Sequence, residues 1–138
     1  MRLQQMVSHV IGVDTHKDTH TGAAVDAVTG AELDTIEVHT DRNGFEELLE
    51  LADQHAPAED RAWAIEGTGS YGAGLAEFLA QRGEFVIEVD RPTRPAKRNG
   101  SKSDPLDAVR AAREALARET WAQPRARGER EAMRVITA

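Results

Sequence analysis

Apolar residues come in short blocks along the chain, and the spacing within each block predicts its element. Val10-Ile11-Gly12-Val13 is a β-branched run that ends at Asp14. A polar stretch over residues 15–21 follows, and Gly22-Ala23-Ala24-Val25 restores the apolar character, so two strands joined by a polar turn are expected. A third strand is expected over residues 33–39, where Leu33, Ile36 and Val38 roughly alternate after the Thr29-Gly30 turn. Asp41-Arg42-Asn43-Gly44 interrupts the pattern, and Phe45, Leu48, Leu49 and Ala52 then recur at i, i+3, i+4 and i+7, which predicts an amphipathic helix.

Arg61-Ala62-Trp63-Ala64-Ile65 reads as a fourth strand and also ends on an acid, Glu66. The Gly67-Thr68-Gly69-Ser70 turn comes next, with Ser70 placed to cap a second helix that carries Leu75, Phe78 and Leu79 on one face and closes at Arg82-Gly83. Phe85-Val86-Ile87-Glu88-Val89 is the fifth strand. Residues 91–103 hold Pro and Gly but no acid and read as a loop. A third helix is expected from Asp104-Pro105 to about Arg118 with Leu106, Val109 and Leu116 inward, and a last one from Glu129.

Short links among the first three strands favour an antiparallel meander, whereas helices between the later strands favour right-handed parallel crossovers. A mixed five-stranded sheet flanked by helices satisfies both, which is the layout of a ribonuclease H-like α/β domain. A flavodoxin-like order is disfavoured because nothing helical separates the first strands.

Composition narrows the chemistry. The 138 residues suit one domain, and with 40% apolar but only 4% aromatic residues the core must be built from Ala, Val, Leu and Ile. There is no cysteine, so disulfides, thiolate metal sites and cysteine nucleophiles are excluded. No apolar run approaches the ~20 residues that span a bilayer, and the N-terminus has no secretory pattern, so a cytoplasmic protein is expected. The net charge of −7 conceals two opposite halves: residues 1–90 carry 5 Lys and Arg against 18 Asp and Glu, and residues 91–138 carry 12 against 6. A basic strip beside an acidic site suits a polyanionic partner such as nucleic acid.

Asp14 and Glu66 each stand at the carboxyl end of an apolar strand, where open α/β sheets place their sites. If the first and fourth strands are neighbours, these carboxylates face each other, and hard oxygen ligands select Mg²⁺ or Mn²⁺. Asp104 and Asp107, spaced i and i+3, add two more acids, and four such groups suit metal-assisted phosphoryl transfer. Asp104-Pro105-Leu106-Asp107 equally matches a helix start, with Asp104 as N-cap and Pro105 in the first helical position. His16, Asp18 and His20 would share one face if they lay on a strand, although a solvated face explains them as well. Gly67 to Gly72 is either a tight structural link or a phosphate-facing turn, without the lysine of a P-loop. Arg91, Arg94, Lys97, Arg98 and Lys102 put five cations into twelve residues with no acid among them, a density that binds phosphate backbones.

Three segments, Gly12-Val13-Asp14-Thr15-His16-Lys17-Asp18-Thr19-His20, Glu66-Gly67-Thr68-Gly69-Ser70-Tyr71-Gly72 and Lys102-Ser103-Asp104-Pro105-Leu106-Asp107-Ala108, resemble in order and spacing the N-terminal domain of DEDD transposases. These are bacterial insertion-sequence recombinases related to the Holliday-junction resolvase RuvC, some of them guided by a structured bridge RNA. The resemblance implies a ribonuclease H-like domain over residues 10–128, preceded by a tail at 1–9 and followed at 129–138 by the start of a truncated helical region. It implies that Asp14, Glu66, Asp104 and Asp107 are the catalytic acids, that they bind Mg²⁺ or Mn²⁺, and that the partners are DNA and a guide RNA, with no membrane role. Family enzymes add a coiled coil, a C-terminal serine nucleophile and an oligomeric state, so this chain alone is expected to bind nucleic acid without completing recombination. Two alternatives stay open: a catalytically silent nucleic-acid-binding module, and the N-terminal lobe of a sugar kinase or actin-like ATPase, whose opening Asp14-Thr15-His16-Lys17 also resembles.

Overall fold

The computed structural model describes residues 2–90 and 104–118. Five strands, β1 (His9–Thr15), β2 (Thr19–Asp26), β3 (Glu32–His39), β4 (Arg61–Glu66) and β5 (Val86–Val89), form one sheet in the order β3-β2-β1-β4-β5. The meander β1–β2–β3 is antiparallel, and β4 and β5 run parallel to β1. Helix α1 (Arg42–His55) makes the crossover from β3 to β4, and α2 (Ala73–Gln81) makes the one from β4 to β5. Helix α3 (Pro105–Ala117) packs on the other face. This is the mixed sheet of the ribonuclease H-like α/β fold expected from the link lengths.

Period-two alternation divides the core between the two faces. Val10, Ala23, Val25, Ala62, Ala64 and Ile87 pack against Ala108, Val109, Ala112, Ala115 and Leu116 of α3, and Leu3 and Val7 from the N-terminal segment join them. Ile11, Val13, Trp63, Ile65 and Val86 pack against Leu48 and Ala52 of α1 and Leu75, Phe78 and Leu79 of α2. Gly12 determines how closely α3 lies on the sheet. A Cβ there would collide with the Ala108 carbonyl oxygen and come 2.8 Å from the Ala112 nitrogen.

Several local expectations are corrected. The turn between β1 and β2 is only residues 16–18, closed by the His16 N–H donating to the Thr19 carbonyl at 3.0 Å. The polar residues Thr19, His20 and Thr21 belong to β2 because ladders to β1 and β3 on either side outweigh side-chain polarity. The break at 41–44 is the start of α1, where Asp41 Oδ1 caps the helix by accepting the Gly44 N–H at 2.8 Å. Ser70 does not cap α2: Gly72 is the N-cap, and the Ser70 hydroxyl turns back to the Gly67 carbonyl at 3.3 Å. Leu106 is 74% exposed rather than inward, because the alanines of α3 set its buried face and Leu106 falls almost opposite them.

At the amino end of β4, far along the strand from Glu66, lies a buried ionic cluster. Arg61, 2% exposed, meets Glu84 with two contacts, Nε to Oε1 at 3.1 Å and Nη2 to Oε2 at 2.8 Å. Its Nη1 reaches Asp53 Oδ1 at 2.6 Å and the Ala56 carbonyl at 2.8 Å, and Trp63 Nε1 donates to Glu84 Oε1 at 2.8 Å. Burial opposes the Arg61 charge, yet the bonds to Glu84 and Asp53 hold its pKa above the usual arginine value.

Candidate active site

Because β1 and β4 are adjacent and parallel with Val13 opposite Ile65, Asp14 and Glu66 follow on the next rung. Both share the parity of Gly12 and Ala64, so both face α3. They are nearly inaccessible, 2% and 1% exposed. Two buried carboxylates side by side are costly unless donors or cations meet them.

The amino end of α3 supplies part of that compensation. The Asp104 N–H donates to Asp14 Oδ2 at 2.8 Å, which brings the positive end of the helix dipole onto the carboxylate. Asp104 is also the N-cap, its Oδ1 accepting the Leu106 N–H at 2.8 Å, with Pro105 at the first helical position. The helix start read from the sequence is present, and the N–H of its cap residue is docked on the strand-end acid. His16 Nε2 lies 3.3 Å from the same Asp14 oxygen. Glu66 is reached from further along α3, with Arg110 Nη1 at 3.1 Å from its Oε2, while Arg110 Nη2 donates to Asp107 Oδ1 at 3.0 Å. Burial works against the Arg110 charge, but the Asp107 bond and the Glu66 charge raise its pKa above the ordinary arginine value.

The backbone around these acids is tied down. The Thr15 hydroxyl donates to the Glu66 carbonyl at 2.8 Å, locking the ends of β1 and β4 together. After Glu66 the chain reverses at Gly67, whose φ of +68° suits glycine, and the Gly67 carbonyl accepts the N–H groups of Ser70 and Gly72 at 2.9 and 2.8 Å.

The fold thus brings all four predicted acids to one end of the β1–β4 pair: Asp14 with the Asp104 backbone, and Glu66 with Asp107 through Arg110. Their chemistry, oxygen donors on rigid elements, fits a hard divalent cation. Among the described residues, however, no three His, Asp or Glu side chains converge closely enough to hold a metal. His16, Asp18 and His20 do not share a strand face, because 16–18 is the turn and His20 lies on the α1 face, stacked 5.9 Å from Phe45. Arg91, Arg94, Lys97, Arg98 and Lys102, and the helix expected from Glu129, lie outside the described residues. Sequence reasoning missed Arg110, for which the i, i+3 spacing after Asp107 was the available signal.

Residues 11–137 match the family model of the IS110 DEDD transposases, described as transposase. The chain belongs to that family. At the family level its activity is DNA transposition, and the match over nearly the whole chain displaces the sugar-kinase reading of the β1–β2 turn. No curated protein matches the chain. Among the described residues of this DEDD domain, no helix is long and apolar enough to cross a membrane.

Proposed function

We propose that Asp14, Glu66, Asp104 and Asp107 are the acids for which the DEDD family is named, and that they hold Mg²⁺ or Mn²⁺ at a site that cuts and joins DNA. One observation carries this reading: two carboxylates buried to 1–2% exposure on neighbouring strand ends, with the amino end of α3 docked directly on one of them. A cation held there would supply activation of the attacking oxygen and charge stabilisation of the leaving one. Asp14 and Glu66 are positioned by the sheet, Asp104 and Asp107 by the first turn of α3, and Thr15 keeps the two strand ends in register.

In this reading residues 10–128 form the working domain, and residues 129–138 begin a helical region. The cations at 91, 94, 97, 98 and 102, immediately before Asp104, track the phosphate backbone of DNA or of a structured guide RNA, within a homo-oligomer. A second reading, a nucleic-acid-binding module without catalysis, draws on Arg110, whose guanidinium already compensates Glu66 and Asp107 without a metal ion.

Calorimetric titration with Mn²⁺ or Mg²⁺ decides between them. Binding by the wild-type chain that is lost in Asp14→Asn and Glu66→Gln supports the metal site. Binding indifferent to both changes refutes it and leaves the silent module.

A further inference from the structure

The Glu66–Asp107 pair is bridged by a cation that belongs to the protein itself. Arg110 follows Asp107 by three residues on α3, so the two side chains leave the helix on the same side. Its side chain is 33% exposed, and the guanidinium presents one nitrogen to each acid, at 3.1 Å to Glu66, whose side chain is 1% exposed, and at 3.0 Å to Asp107. That position, between two carboxylates from different elements, is the one a cation shared by the same two acids would need.

We propose that Arg110 is a displaceable internal counter-ion: it neutralises and positions Glu66 and Asp107 until a divalent cation takes over their oxygens. The inference rests on the metal assignment of the four acids made above. Three physical points carry it. A buried carboxylate is costly unless donors or charges meet it, and Arg110 lowers that cost for Glu66 without any added ion. A divalent cation ligates carboxylate oxygens at ~2.0–2.6 Å, and an arginine in contact with the same two acids would be repelled at short range. The Arg110 side chain is 33% exposed against 1% for Glu66, so rotation of this long side chain would carry the guanidinium into water while Glu66 stays on β4. Arg110 is thus a positioning residue whose exit accompanies metal entry.

This predicts opposite signs for two quantities that an ordinary structural ion pair would move together. Arg110→Gln should melt at a lower temperature in EDTA but bind Mn²⁺ more tightly, by about tenfold or more. Arg110→Lys should fall between, because the ammonium keeps the charge but cannot bridge with two edges. The experiment is calorimetry of the full chain with Mn²⁺, alongside thermal melts in EDTA and in saturating Mn²⁺, on wild type, Arg110→Gln, Arg110→Lys and Glu66→Gln. In the wild type, ¹⁵N-resolved guanidinium signals of Arg110 should change from restrained to freely rotating on adding Mg²⁺, a readout that needs no variant. The inference is overturned if Arg110→Gln binds Mn²⁺ no more tightly than wild type, or if the Arg110 signals ignore Mg²⁺ while calorimetry records binding. Loss of binding in Glu66→Gln alongside unchanged affinity in Arg110→Gln removes only the counter-ion role. Absence of binding in wild type and Arg110→Gln alike removes the metal assignment, and the counter-ion role with it.

Discussion

Replacing Gly12 by Ala tests whether close approach of α3 to β1 is what assembles the site. The added Cβ meets the Ala108 carbonyl and the Ala112 nitrogen, both backbone atoms of α3, so no side chain can rotate away and the helix must move. Overpacking of this kind costs ~1–3 kcal/mol, and a backbone collision belongs at the upper end. Loss of glycine freedom in the unfolded chain returns ~0.4–1 kcal/mol. The net destabilisation is about 2 kcal/mol, or roughly 6–8 °C in Tm for a domain of this size. Gly69, exposed and with nothing within 4 Å of the position a Cβ would take, is the matched control and should shift little. Moving α3 outward also stretches the 2.8 Å bond from the Asp104 N–H to Asp14, so divalent-ion affinity should fall with stability. The assay is thermal unfolding by circular dichroism together with Mn²⁺ calorimetry on Gly12→Ala and Gly69→Ala. Equal melting temperatures and equal affinities in the two variants would refute the reasoning.

Three further outcomes are expected. Glu84→Ala leaves the buried Arg61 held only by Asp53 and the Ala56 carbonyl, and urea denaturation should show a loss of about 3 kcal/mol, the low end for a broken buried pair. Asp26 accepts the N–H groups of Thr29 and Val28, which lowers its pKa, so its contribution is present above the ordinary Asp value of ~3.9 and fades as pH falls through the lower folded value; the stability gap between wild type and Asp26→Asn should therefore narrow in acid and stay constant near neutrality. Neutralising Arg94, Lys97 and Arg98 together should reduce the slope of log binding constant against log salt for duplex DNA by about 2–3, at ~0.9 per phosphate contact; an unchanged slope would remove these cations from the interface.

Much of the domain was legible along the chain. Chain order and type of all five strands follow from short apolar runs and turn residues, and the sense of the β1–β2, β2–β3 and β4–β5 pairings follows from whether a tight turn or a helix joins the strands, whereas the β1–β4 pairing was only a condition. Asp14 and Glu66 stood out because each closes an apolar run, and Asp104 to Asp107 carried their helix start openly. The errors were local, and two of them share a cause. Side-chain polarity suggested a turn at Thr19 to Thr21 and a cap at Ser70, but cross-strand ladders and the Gly67 carbonyl took up those backbone groups instead.

What the sequence determined by itself is therefore the inventory: a mixed α/β sheet, four acids at element ends, and a basic segment before the last pair. What only the tertiary structure decided is which groups answer which charge. That Asp14 receives a backbone N–H from Asp104, 90 residues away, and that Glu66 and Asp107 share Arg110 depend on Gly12 letting α3 lie against β1. Compensation of buried charge works over a few ångströms in space and is blind to separation along the chain, so only the i, i+3 contact of Asp107 with Arg110 left a spacing signal.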